Sequence, residues 1–128
     1  MYSIGYDIGS SSVKAALVEV DTGKQIAVTH EPEGEMGMIS PKISWAEQDP
    51  EVWWELVCMV TKKLLKQTGI DSAKVSGIGI AYQMHGLVVV DRKGAPLRNA
   101  IIWCDSRAVG IGKDAFKVLG TKKCGQHL

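Results

Sequence analysis

Asp7-Ile8-Gly9-Ser10-Ser11-Ser12-Val13-Lys14 puts an acidic residue at the end of an apolar segment and follows it with one glycine and three serines. A tight turn of small residues exposes backbone N–H groups and hydroxyls, the donors that an anion such as phosphate takes. A carboxylate at the strand end can hold the waters of a bound Mg2+. Lys14 adds a point charge beside the same turn. A plain polar hairpin, with solvated serines and a Gly9 that only permits the turn, accounts for the same spacing. Asp7 raises the signal, because a carboxylate in an apolar strand is costly to bury unless a metal, a donor or a pocket meets it.

Two further groups carry chemistry. Gln83-Met84-His85-Gly86 is a polar corner between apolar runs. Gln and His there supply donors and acceptors suited to a polyhydroxylated ligand, and Gly86 admits close backbone approach. A hydrogen-bonded turn histidine is the alternative. In Trp103-Cys104-Asp105-Ser106-Arg107 an indole can stack on the apolar face of a sugar, while Asp105 and Arg107 can either bind hydroxyls or pair with each other. The alternative here is a helix cap, an internal salt bridge and a core Trp103. Trp45, Trp53 and Trp54 read as core packing that pins a neighbouring irregular loop.

These residues need a scaffold, and its elements are legible from pattern. Alternation predicts strands over Ser3 to Ile8, Val13 to Val20 and Gln25 to His30, with Asp21-Thr22-Gly23 as the turn joining the last two into an antiparallel hairpin. The stretch from Pro32 to Trp45, with Gly34, Gly37 and Pro41, has no period and reads as a crossing loop. Asp49-Pro50-Glu51 starts a helix over about Pro50 to Thr68, stopped by Gly69. Val75 to Tyr82 reads as a buried strand with Gly77, Gly79 and Ala81 on one face, and Leu87 to Asp91 as another. After a turn at Arg92-Lys93-Gly94, Asn99 to Trp103 gives a short strand. Asp105 or Ser106 then caps a helix ending near Leu119, where Gly120 stops it.

A length of 128 residues allows one domain or part of a larger one, and 45% hydrophobic with 23% charged residues is ordinary globular usage. Fifteen basic against fourteen acidic residues leave a charge of +1, too little for a field that would hold nucleic acid or an anionic membrane. No apolar run approaches the roughly 20 residues of a membrane span. Cys58, Cys104 and Cys124 are an odd, widely spaced set, which fits a reducing cytoplasm better than a disulfide framework. Cys124 and His127 lack a second pair to complete a metal site, so they read as structural or surface residues.

In this order the segments resemble the amino-terminal part of the FGGY carbohydrate kinases, most nearly their xylulose kinase branch. The resemblance rests on Tyr6 to Lys14, on Trp45-Ala46-Glu47-Gln48-Asp49-Pro50 with Trp53-Trp54, on Gln83 to Gly86, and on Trp103 to Ala108. It runs from Ser3 to about Leu119. It implies an α/β fold, an actin-like, ribonuclease H-like ATPase lobe whose mixed sheet begins with three antiparallel strands flanked by helices. The lobe would be incomplete, and the carboxy-terminal lobe absent.

The resemblance further implies that Gly9, Ser10, Ser11, Ser12 and Lys14 approach the phosphates of ATP and that Asp7 holds Mg2+ through water. Gln83, Met84, His85 and Trp103 would border the sugar, and Asp105 would shape its pocket. The reaction would move the γ-phosphoryl group of ATP to a hydroxyl of a ketose such as xylulose, or of a polyol, by positioning and charge neutralisation. The general-base Asp, a second phosphate loop and the adenosine site belong to segments not present, so no catalytic residue lies in this chain, which alone would be inactive. An exposed half-cleft would leave a homodimer open, with no nucleic acid or membrane partner. Two other readings are a non-catalytic carbohydrate- or protein-binding module on the same fold, and a chaperone-type ATPase of the same superfamily. The second gives Trp45 to Pro50 and Gln83 to Gly86 no role.

Overall fold

In a computed structural model that describes residues 1–127, the chain opens as a meander of β1 (Tyr2–Ile8), β2 (Val13–Glu19) and β3 (Gln25–Glu31). Neighbouring strands are antiparallel, with Ile8 opposite Val13 and Asp7 opposite Lys14. The chain then crosses to the helix α1 (Pro50–Thr68) and returns as β5 (Val75–Tyr82), which lies parallel to β1 on its free side. The sheet order is therefore β3-β2-β1-β5. A second, two-stranded sheet pairs β4 (Glu47–Gln48) with β6 (Ala100–Ile101). The helices α2 (Val109–Leu119) and α3 (Thr121–His127) follow.

Local chemistry explains the best-defined parts. Asp49 Oδ1 accepts from the Glu51 amide at 3.0 Å, Pro50 occupies the first turn, and Gly69 at φ 65° ends the helix, as the sequence predicts. Leu56, Val60 and Leu64 of α1 are buried against Ile4 and Tyr6 of β1 and Val13, Ala15 and Leu17 of β2. The helical and strand periods thus meet in one core. Tyr6 carries a polar tip into that layer, where its hydroxyl and that of Thr61 lie 2.7 Å apart.

A charged cluster ties the second sheet to the loop before α2. Glu47 and Asp105 are buried acids, and Arg107 lies between them: its Nη2 donates to Glu47 Oε1 and to Asp105 Oδ2, each at 2.7 Å. Arg98 meets Glu47 at 2.6 Å from the other side, and the Ala46 amide donates to Asp105 at 2.7 Å. The Arg107 guanidinium also stacks 3.8 Å from the Trp45 ring centre. Hydrogen bonds from Arg107, joined by the Ala46 amide, hold the Asp105 carboxyl far below its usual range against the opposing effect of burial. Hydrogen bonding by Arg107 and the charge of Arg98 lower Glu47 in the same way, and Asp105 raises Arg107.

Several expectations need correction. Val75 to Tyr82 is a strand but not a buried one. It forms the sheet edge, α1 sits over β1 to β3, and Ile78, Ile80 and Tyr82 are exposed. Leu87 to Asp91 makes only the isolated bridges Leu87 to Ile101 and Val90 to Pro96, because Asp91 Oδ1 takes the amides of Lys93 and Ala95 and tightens the chain into a turn. Asn99 to Trp103 contracts to the two residues of β6, and β4 was not expected. Neither Asp105 nor Ser106 caps α2. Ala108 stands at that position without a side-chain bond, since Asp105 is committed to Arg107. Gly120 ends α2, but the chain resumes a helix in α3, where Cys124 is buried. Trp54 is exposed rather than core, whereas Trp45 and Trp53 are half-buried.

Two outcomes check this architecture. Leu64→Ala removes a fully buried side chain at the centre of the core and should cost about 2–5 kcal/mol, read from the urea midpoint. For the cluster, folded-state values of Asp105 and Glu47 below their unfolded values mean that their stabilisation is present above about pH 4 and drains as pH falls further. The difference in urea midpoint between the parent and Asp105→Asn should therefore be clear at pH 7 and shrink below pH 4. A difference constant from pH 7 to pH 3 would refute the ionic role.

Candidate functional site

The turn Gly9 to Ser12 joins β1 to β2 at one end of the sheet, and all four of its residues are tied down by their carbonyls or amides. The Gly9 amide donates to Ser12 O at 3.1 Å, the Met36 amide to Ser11 O at 2.7 Å, and the Gln48 side-chain amide to Ser10 O at 2.7 Å. The amides of Ser10, Ser11 and Ser12 donate to no acceptor among the described residues. Carbonyls are drawn into the protein and amides are left over, which is the polarity an anion requires. Gly9 sits close to the far side of its own turn: a Cβ there would stand 3.1 Å from Ser12 O, a contact that would push the turn open by a few tenths of an ångström.

Asp7 leaves β1 on the face opposite α1, since Ile4 and Tyr6 occupy the core face. Its side chain is 55% exposed and pairs across the strands with Lys14 at 3.7 Å. The expected desolvation of this carboxylate does not arise, and alternation is the reason. Asp7 and Lys14 are together beside the turn, as accessible charges of opposite sign.

The Gln83 corner reaches the same end of the sheet. The Gln83 amide donates to Ile8 O at 3.0 Å, extending the parallel β1–β5 ladder by one residue. Gln83 and His85 line a hollow of about 330 Å³ closed by Ile8, Trp53, Tyr82 and Val88. A second hollow, of about 250 Å³, lies between Gln83, Met84, His85 and Trp103. Both polar atoms of the Gln83 side chain are buried and find no partner among the described residues. His85 adopts φ 62°, a left-handed backbone that a non-glycine residue holds only where its surroundings impose it. The corner is thus a strained turn beside two hollows, with a buried side-chain amide left unsatisfied.

Trp103 links the two groups. It is 59% exposed, and its Nε1 donates to Ser10 Oγ at 3.1 Å. The indole stands between the serine turn and the Met84-His85 corner, so the core alternative for Trp103 is excluded. Asp105 is not brought to this opening: both its oxygens are taken by Arg107 and Ala46, and it supports the loop from behind. Asp7, Gly9, Ser10, Ser11, Ser12, Lys14, Gln83, Met84, His85 and Trp103 do gather at one end of the sheet. The residues missed by sequence reasoning are Met36 and Gln48, whose contribution to the turn runs through distant contacts that no local pattern signals. Among the described residues no three His, Cys, Asp or Glu side chains converge on a metal position.

Comparison with known proteins identifies the family and the fold. Residues 2–124 match the model of the "FGGY family of carbohydrate kinases, N-terminal domain". The chain is 36% identical over 121 residues to a xylulose kinase of Staphylococcus xylosus, an alignment that covers 93% of this chain and 23% of that protein. Its structure superposes on a xylulose kinase from Rhodospirillum rubrum with a TM-score of 0.82 at 29% identity, over 95% of this chain and 24% of that one. For a gluconate kinase from Lactobacillus acidophilus the TM-score is 0.80 at 30% identity, over 92% and 23%. The chain spans about a quarter of the length of the curated relatives it matches. A mixed sheet that opens with three antiparallel strands, a serine turn at its end and the agreement over nearly all of these residues lead to one conclusion: the chain belongs to the FGGY family of carbohydrate kinases, with residues 2–124 matching the family's N-terminal domain.

Proposed function

We propose that this chain supplies one wall of the cleft of an ATP-dependent sugar kinase acting on a ketose such as xylulose. The observation that carries the reading is the meeting of an amide-presenting serine turn with an open polar corner across Trp103. In this reading the amides and hydroxyls of Ser10, Ser11 and Ser12 receive phosphate oxygens of ATP, and Lys14 adds charge without fixed geometry. The accessible Asp7 carboxylate suits Mg2+, which keeps most of its waters and needs only one or two protein carboxylates when phosphates complete its shell. The ion would neutralise charge developing on the transferred phosphoryl group.

The sugar would lie against Gln83, Met84, His85 and Trp103. The Gln83 amide is unpartnered but enclosed, so hydroxyls would reach it only on a shift of the corner, whereas the exposed indole offers an apolar face to a carbon chain directly. Asp105 acts behind them as a strut for the Trp103 loop. Accepting the hydroxyl proton requires a carboxylate near the sugar. Asp105 is spent on Arg107, so the general base is assigned to residues beyond these 128. The free cysteines fit a cytoplasmic setting. Xylulose is favoured among the ketoses by the relatives named above, and gluconate is the second substrate the comparisons favour.

Calorimetric titration of this chain with MgATP and with a panel of ketoses and polyols tests the division of labour. Asp7→Asn should weaken MgATP about tenfold and leave sugar affinity unchanged, while Trp103→Ala should weaken the sugar by a similar factor. A coupled assay should register no steady sugar-dependent ATP consumption by this chain alone. Sustained turnover would contradict the assignment of the base, and binding of neither ligand would leave the non-catalytic interaction module as the better reading.

A further inference from the structure

We propose that Gln48 is a positioning residue that orients the Ser10–Ser11 peptide so that the Ser11 amide faces outward to phosphate. The inference rests on the phosphate reading of the serine turn and goes beyond it by assigning the turn's orientation to one distant side chain.

Gln48 is only 2% exposed, yet it belongs to a two-residue strand remote in sequence from the turn. Its side chain is fully occupied. Nε2 donates to Ser10 O at 2.7 Å and to Gly37 O at 3.1 Å, and Oε1 accepts from Trp53 Nε1 at 3.2 Å. The Trp53 bond fixes which way round the amide sits, because an indole N–H can only donate. With Oε1 held by Trp53, Nε2 must face the two carbonyls.

Peptide geometry carries the effect outward. In a trans peptide the C=O of one residue and the N–H of the next point in opposite directions within one plane. The only cis bond among the described residues is Glu31–Pro32. Drawing Ser10 O toward Gln48 therefore turns the Ser11 N–H away from the protein, and drawing Ser11 O toward the Met36 amide does the same for the Ser12 N–H. Met36 acts through its backbone, so side-chain replacement cannot remove its bond. Among the described residues Gln48 is the one side chain that holds the turn by a carbonyl, and it is nearly inaccessible to water that might substitute for it.

Gln48→Glu keeps the shape and places an acceptor against Ser10 O, which should reverse or loosen that peptide. Gln48→Met keeps the bulk and leaves Ser10 O unpartnered. Amide NMR of ligand-free parent and variants, followed by titration with tripolyphosphate, reads both consequences. The Ser11 resonance should shift or broaden in both variants while Leu17 and Gly79, within the sheet, stay in place. Tripolyphosphate affinity should fall about tenfold, the weight of one hydrogen bond to a charged group. A Gln48 that only stabilised the fold would lower the urea midpoint and leave tripolyphosphate affinity of the folded protein intact, which would overturn the proposal. If Gln48→Glu does not fold, Gln48→Met and Trp53→Phe, which frees the amide to rotate, give the same two readouts. An unmoved Ser11 in ligand-free Gln48→Met overturns the orienting role whatever tripolyphosphate does. A parent whose Ser11 and Ser12 amides ignore tripolyphosphate refutes the phosphate reading instead, and the ligand-free comparison still decides whether Gln48 holds the turn.

Discussion

The Arg107 guanidinium is the contact on which the arrangement of the site depends. It joins two buried carboxylates that lie 58 positions apart in the chain, Glu47 and Asp105, and it is the cation they share, with Arg98 a second partner of Glu47. With Asp105 so held, its Oδ2 also accepts from the Ala46 amide, and the Ile102 amide donates to Ala46 O. These bonds fix the segment from Trp45 to Gln48 against the segment from Ala100 to Arg107. Trp103 and Gln48, one on each segment, then arrive at the same serine residue from two directions. An ion pair alone is weak evidence for stability. Here its effect is positional, bringing an indole and an amide to the end of a sheet to which neither belongs.

How much of this was legible in sequence follows from the range of each interaction. The three opening strands and α1 were readable because alternation, the Asp21-Thr22-Gly23 turn and the Asp49-Pro50 start act within a few residues. The gathering of Asp7, the serines, Gln83 and Trp103 was anticipated from family resemblance rather than from spacing. Three features escaped. The β4–β6 pair has two residues on each side and is braced by contacts distant in sequence, the Arg107 cluster among them, so no periodicity announces it. Asp105 and Arg107 presented a choice between pairing and ligand binding that only their geometry could resolve, and pairing prevailed. The apolar run Val75 to Tyr82, with Gly77, Gly79 and Ala81 leaving room on one face, reads as a buried strand, but composition does not reveal whether a strand has neighbours on both sides.

The polarity of the serine turn also illustrates how little of a binding site need be side chain. Ser10, Ser11 and Ser12 contribute hydroxyls, but the geometry that distinguishes this turn from a solvated hairpin lies in which backbone groups have been used. The carbonyls of all three are spent within the protein and their amides are not. A hairpin chosen for shape alone would leave that balance to solvent. Substituting the serines would therefore test only the smaller part of the site.

The edge position of β5 has a bearing on how the chain behaves before anything is bound. Val75 to Tyr82 contains no charged residue and no proline, the usual devices by which an open strand discourages another from pairing with it. Its two glycines, Gly77 and Gly79, weaken the template without closing it. The backbone ladder on its free side is uncommitted, with Ile78, Ile80 and Tyr82 uncovered beside it. Strand addition at such an edge supplies main-chain hydrogen bonds without needing any particular side chain, so the edge discriminates poorly between one extended segment and another.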